Sequence, residues 1–325
     1  IMKLLVIRLS SLGDIILTTP IIRCLKKQLN AEIHFLTKEG GADLLKYNPY
    51  IDRIIVVRKS PKERTEEILA NQYDHIIDLQ NNFRTWRFRL NFIGKTSTFP
   101  KLNLRKWILV NFKINLLPNV HVVERYFKAV KRLGVTNDGL PCDVFTSPIE
   151  ENEANLISRP FLFGNIMVIG AMHYTKQIPV ELCVKIINHN PGNWLLLGGK
   201  NDRLKADQIA LLCNQPTVNA CGMLSFNGSI EAMRNAKVVV TPDTGLMHAA
   251  AALGKNIISI WGNTVPNFGM YPYMPNLPEH YKIIEVNDLS CRPCSKIGHN
   301  ACPKKHFNCM HLIDASDIMI KKNKS

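Results

Sequence analysis

The chain has no apolar run near the ~20 residues that a helix needs to cross a bilayer. Its first eight residues are apolar only briefly before Arg8 and a Gly-Asp turn. They lack the apolar region and cleavage site of a secretory signal, so the expectation is a cytoplasmic protein. Acidic residues are scarce: 26 Asp and Glu stand against 41 Lys and Arg, a formal charge of +15. That excess suits a polyanionic partner, whether nucleic acid, an anionic membrane face or a phosphorylated glycolipid. The first strand-turn-helix pattern holds a single glycine, Gly13, so the G-x-G-x-x-G fingerprint is missing. Its absence counts against a nicotinamide-dependent dehydrogenase. The nine cysteines, in a cytoplasmic chain, are expected to be reduced rather than bridged.

What is present is an alternation of strands and helices. A chain of 325 residues with 46% apolar and 21% charged residues is long enough for two domains, each with its own core. Residues 3–9, 31–37, 54–57 and 75–79 read as strands. Helical patterns lie between them at 15–29, 42–47 and 62–71. Pro20 should start or kink the first helix. His34 and His75 sit in strand patterns beside apolar residues and are expected to be structural. An amphipathic helix at 122–133 ends at Gly134, and residues 137–148, with Gly139, Pro141 and Pro148, are the linker candidate. A second series then begins, with strands at 165–170, 194–197, 238–240 and 256–261 and helices after 180, 203, 226 and 246. Such alternation means parallel sheets with right-handed crossovers. The expectation is two domains, 1–145 and 146–325.

The second series is organised around Val238-Val239-Val240 and the turn Thr241-Pro242-Asp243-Thr244-Gly245, which runs into an Ala-rich helix ended by Gly254. A strand leading straight into a helix leaves the helix's first amides unpaired at the sheet's carboxyl edge. With the helix dipole they form an anion site. Asp243 can cap that helix and Gly245 lets a ligand approach the backbone, as in many ordinary α/β turns. Asp14, after the first strand, has two readings of the same kind. It is a helix N-cap, or a carboxylate kept ionised by the helix N-terminus and able to accept a proton.

Residues 84–113 hold eight Lys and Arg and no Asp or Glu, interleaved with Trp86, Phe88, Phe92, Phe99, Trp107 and Phe112. The stretch suits single-stranded nucleic acid, a membrane interface or an anionic glycolipid, or is a solvated basic face with core aromatics. Near the C-terminus Cys291-x-x-Cys294, Cys302 and Cys309 surround His299 and His306. A tetrahedral zinc site, free structural cysteines and a redox pair all fit this spacing. Lys321, Lys322 and Lys324 form a basic tail.

Two of these motifs resemble glycosyltransferase family 9, the ADP-heptose:lipopolysaccharide heptosyltransferases. One is Arg8-Leu-Ser-Ser-Leu-Gly-Asp14-Ile-Ile-Leu-Thr-Thr-Pro20. The other is Asp243-Thr-Gly-Leu-Met-His248-Ala-Ala-Ala-Ala-Leu-Gly254, followed by Ile-Trp-Gly-Asn-Thr at 260–264. The loop with Thr175-Lys176 before a helix start at 180, and the Gly198-Gly199 turn, occur in the family's order. The resemblance implies the GT-B architecture, α/β with two Rossmann-like domains facing each other across a cleft. The N-terminal domain would bind the acceptor and the C-terminal domain the nucleotide sugar. It implies an inverting, metal-independent glycosyltransferase with no cofactor, in which Asp14 is the base. Thr175, Lys176, Asp243, Thr244, Gly245 and His248 would bind the donor. The partners it implies are ADP-heptose, the Kdo or heptose of the lipopolysaccharide inner core, and the anionic cytoplasmic face of the inner membrane. No nucleic acid is expected. Arg84, Arg87, Arg105 and Lys106 become candidates for acceptor contacts. A family member using another nucleotide sugar or acceptor is the alternative within the class. A nucleic-acid-binding protein, on charge and aromatics, is the alternative outside it.

Overall fold

The computed structural model describes residues 1–92, 95–158 and 164–320. The tail lysines Lys321, Lys322 and Lys324 lie outside the described residues. The chain divides into two compact units, Ile1–Leu102 with Val120–Phe145, and Asn103–Asn119 with Thr146–Ser325. Residues 103–119 therefore leave the 1–145 block in which the sequence places them. The reason is apolar burial: Leu109 packs on Val265 and Phe268, with Val110, Leu117 and Met270 around them.

The first unit is a parallel sheet of β1 (Lys3–Ile7), β2 (Glu32–Thr37), β3 (Arg53–Val56), β4 (His75–Asp78) and β5 (Thr96–Thr98), in the order β3-β2-β1-β4-β5. Leu4 to Ile7 are wholly buried, as a central parallel strand covered on both faces requires. The strand order reverses between β1 and β4, which pair with Ile7 opposite Asp78. The expected 15–29 helix is two helices, Leu12–Ile16 and Thr19–Leu29, with Pro20 in the first turn of the second. There its missing N–H costs nothing and its fixed φ suits the helix start. His34 is buried between Tyr73 Oη at 2.7 Å and Glu32 at 2.9 Å, and His75 lies 2.9 Å from Ser97 Oγ. Both are structural.

Residues 137–145 form no helix or strand, yet they are firmly held. Arg23, buried on the Thr19–Leu29 helix, donates to both Asp138 carboxylate oxygens at 2.8 and 2.9 Å and to the Pro141 carbonyl at 3.0 Å, and pairs with Asp143. Burial opposes the Asp138 charge, but the bonds from Arg23 hold that carboxyl below its usual range. At Asp143 burial wins and pushes the carboxyl up.

The second unit is a parallel sheet of β6 (Asn165–Val168), β7 (Trp194–Leu197), β8 (Thr217–Asn219), β9 (Val238–Pro242), β10 (Ile257–Trp261) and β11 (Tyr281–Glu285). Its order, β11-β10-β9-β6-β7-β8, reverses between β6 and β9. Trp194, Ile186, Met167, Val240 and Ile258 share one core. The sequence reading misses β5, β8 and β11. All three are sheet edges, short or only partly buried, without the apolar run that marks a central strand. Among the described residues no helix is long and apolar enough to cross a membrane.

Arg23→Met should destabilise the protein by about 3–5 kcal/mol, because it leaves two partly buried carboxylates without their cation. Urea denaturation measures this, with the exposed Lys131→Met as a control expected to stay within about 0.5 kcal/mol. A loss for Arg23→Met no larger than the control's would show that another contact holds residues 137–145.

Candidate functional site

In an open parallel sheet the loops leaving the two strands at an order reversal go to opposite faces and leave a crevice at the carboxyl edge. In the first unit those strands are β1 and β4, and Asp14 follows β1. Ser11, not Asp14, is the N-cap of the Leu12–Ile16 helix. Asp14 is its third residue, and Oδ2 accepts from the Ser11 amide at 3.2 Å and the Ser11 hydroxyl at 2.8 Å, the return half of a capping box. Its other oxygen lies 2.8 Å from Arg8 Nη2. The Arg8 side chain is 8% exposed and that of Asp14 22%.

Arg8 is a residue the motif reading passes over. Its guanidinium also donates to the carbonyls of Leu79 and Ser10 and to Tyr126 Oη. Burial disfavours its charge, but Asp14 outweighs that and the guanidinium is held above its ordinary value. Asp78, fully buried at the end of β4, is likewise absent from the sequence reading. Its Oδ1 accepts from the amides of Gln80 and Asn81 at 2.9 and 2.8 Å. The Gln80 side chain in turn accepts from the amides of Leu9 and Ser10. Burial raises the Asp78 carboxyl despite Arg89 at 3.1 Å. The available signal was position: a cation just past a wholly buried strand, and a carboxylate at the end of its neighbour, must each find a partner.

In the second unit the reversal brings together the loops after β6 and β9. Lys176 Nζ lies 2.6 Å from Asp243 Oδ2, and the Thr264 hydroxyl, from the loop after β10, donates to that same oxygen at 2.9 Å. Asp243 therefore does not cap the Gly245–Ala252 helix; Thr244 is the N-cap, in extended conformation. Thr244 and Gly245 remain partly exposed at the helix start. His248 is buried one turn further on. Thr175 is buried as well, and its hydroxyl is engaged with the backbone of His299: it donates to the carbonyl at 3.2 Å and accepts from the amide at 2.8 Å. Lys176 is thus at the edge, while its neighbour is committed to the loop behind.

The Gly198-Gly199 turn is filled from within. Asp202 accepts from the Gly199 amide at 2.8 Å, and a Cβ on Gly198 would lie 2.9 Å from its carboxylate. The cysteines are all free, and Cys291 Sγ stands 4.0 Å from His306 Nε2. Among the described residues no three His, Cys, Asp or Glu side chains are arranged to hold a metal ion. The basic aromatic stretch divides. Phe88 and Phe99 are core residues, whereas Trp86, Trp107, Phe112, Arg84, Arg87 and Arg105 are exposed and Lys106 is half-buried.

The profile of glycosyltransferase family 9 (heptosyltransferase) matches residues 63–305. A lipopolysaccharide heptosyltransferase 1 from Campylobacter coli is 26% identical over 293 residues, 81% of this chain and 84% of its own. A glycosyl transferase family 9 structure from Veillonella parvula superposes with a TM-score of 0.78 at 21% identity, covering 98% of this chain and 95% of that one. The E. coli ADP-heptose lps heptosyltransferase II gives 0.68 at 21% identity, covering 96% and 98%. The two parallel-sheet α/β units are therefore those of the GT-B fold. The reading as a nucleic-acid-binding protein rests on charge and aromatics alone and yields to this match. The matched span takes in the whole Lys176–Asp243 edge, and the chain belongs to glycosyltransferase family 9: it is a glycosyltransferase.

Proposed function

We propose that the chain transfers heptose from ADP-heptose to a Kdo or heptose hydroxyl of the lipopolysaccharide inner core, at the cytoplasmic face of the inner membrane. The observation that carries the chemistry is Asp14, a reachable carboxylate at a switch point, ion-paired to a buried guanidinium. The sugar and acceptor are supported by the relatives, which include a lipopolysaccharide heptosyltransferase 1 and an ADP-heptose lps heptosyltransferase II.

In this reading Asp14 takes the proton of the acceptor hydroxyl as its oxygen attacks the anomeric carbon. The bond from that carbon to the diphosphate oxygen breaks on the opposite face, its electron pair leaves with ADP, and the configuration inverts. The charge that develops on ADP is met by Lys176 and by the amides of Thr244 and Gly245. Asp243 and Thr264 hold Lys176 in place. An ammonium has three N–H donors, so the bond to Asp243 leaves others for a phosphate. The charge complement comes from the chain itself, so the reading calls for no metal. Thr175 acts behind the edge, positioning Lys176 through His299.

Asp14→Asn should lower the transfer rate by about 10²–10⁴-fold while ADP affinity, by calorimetry, stays within about twofold. Loss of both would make Asp14 a structural cap. Lys176→Ala should weaken ADP binding about tenfold or more. Equal affinity would remove Lys176 from the donor site. Asp14 raises the Arg8 pKa, so by reciprocity Arg8 favours ionised Asp14. Arg8→Leu should move the acid limb of kcat/KM to higher pH, and an unmoved limb would separate Arg8 from the base. In thermal melts ADP should raise Tm where UDP and GDP do not. A shift with UDP or GDP instead would point to another nucleotide sugar.

A further inference from the structure

From Leu79 to Val123 the chain carries no Asp or Glu, and within that span the Asn103–Phe112 helix is turned the wrong way for a solvent-facing helix. A surface helix buries its apolar stripe and shows polar residues outward. Here Leu109 faces the protein core, yet Leu104 and Trp107 face solvent, 69% and 53% exposed. With Asn111 they share one face at i, i+3 and i+7. Phe112, 59% exposed, brings its ring to within 5.4 Å of that of Trp107. The segment after the helix adds exposed Ile114 and Leu116, and Arg105 donates to the Leu116 carbonyl at 3.3 Å, folding it back onto the helix. Several large apolar side chains thus stand together in water, which marks an interaction surface.

The charges choose the partner. Arg105 and Lys113 donate to backbone carbonyls of Leu116, Val110, Cys291 and Pro293, not to carboxylates. Lys106 lies over the Phe268 ring at 5.9 Å. A second copy meeting this face across a two-fold axis would set cation against cation. An anionic bilayer would take the aromatic rings at headgroup depth and pair with the guanidinium of Arg105, which keeps spare donors beyond its bond to Leu116. We infer that residues 103–116 dock the protein on an anionic lipid surface, with Leu104, Trp107 and Phe112 entering the interface and Arg105 at the phosphates. This deepens the proposed inner-membrane reading and rests on it for the choice of bilayer. It places the docking element on the unit that carries Lys176 and Asp243.

The test is co-sedimentation of the full chain with phosphatidylcholine vesicles, with and without about one third phosphatidylglycerol. Wild type should partition to the anionic vesicles at least tenfold more strongly, and high salt should weaken the binding. Trp107→Ser with Phe112→Ser should cut partitioning about tenfold or more, and Arg105→Gln about fivefold. Both variants should keep the wild-type Tm, and the Trp107→Ser, Phe112→Ser variant should keep wild-type transfer to a soluble, deacylated core acceptor. Partitioning unchanged by the aromatic substitutions would overturn the inference. So would equal binding to uncharged vesicles, or a concentration-dependent dimer that the same substitutions abolish without vesicle binding. Failure of the heptosyl reading would look different: vesicle binding intact, with no transfer to the soluble acceptor.

Discussion

The reversal of strand order is the constraint on which both candidate edges depend. In the first unit β1 lies between β2 and β4, and in the second β6 lies between β7 and β9. At each reversal the outgoing loops part to opposite faces of the sheet. The backbone groups there have no neighbouring strand, so side chains must organise the loops. The Arg8–Asp14 pair and the Gln80 bonds do this after β1 and β4. The Lys176–Asp243–Thr264 cluster does it after β6, β9 and β10.

The two edges use the same device with opposite sign. In the first, the cation is the more buried member and the carboxylate the more exposed. In the second, the Asp243 side chain is 10% exposed and that of Lys176 17%. Pairs taken largely out of water contribute little net stability, because desolvation offsets attraction. What they fix is the position of the partner that faces outward. One unit therefore presents an oriented carboxylate, which the proposed reading uses to accept a proton. The other presents an oriented ammonium, which the proposed reading sets against the leaving phosphate.

Much of this was legible in the sequence. The central strands are continuous apolar runs, and the turns after β1, β6 and β9 carry Asp14, Lys176 and Asp243 in recognisable motifs. What escaped was set by tertiary contact. Nothing local distinguishes Arg8 from the other basic residues until β1 is seen to be buried and Leu79 and Tyr126 to lie beside it. Thr175 reads as a ligand donor beside Lys176, yet its hydroxyl is engaged by a backbone more than a hundred residues away. Residues 103–119 follow the first unit in sequence but pack with the second, because the apolar surface that covers Leu109 lies at Val265 and Phe268.

The C-terminal segment gains its meaning from the same logic. Its cysteine spacing draws attention to a metal, but its contacts run toward the Lys176–Asp243 edge. Arg292, with a largely buried side chain, donates to the carbonyls of Trp261, Gly262 and Thr264 and pairs with Glu285 at 2.8 Å. Gly262 must be glycine for this packing, since a Cβ would come within 2.7 Å of Met310 and of the Thr175 carbonyl. Arg292 thus grips the loop that carries Thr264, and His299 grips the loop that carries Lys176. Both loops end on one oxygen of Asp243. A segment remote in sequence from Lys176 and Asp243 therefore backs two of the loops that place the ammonium.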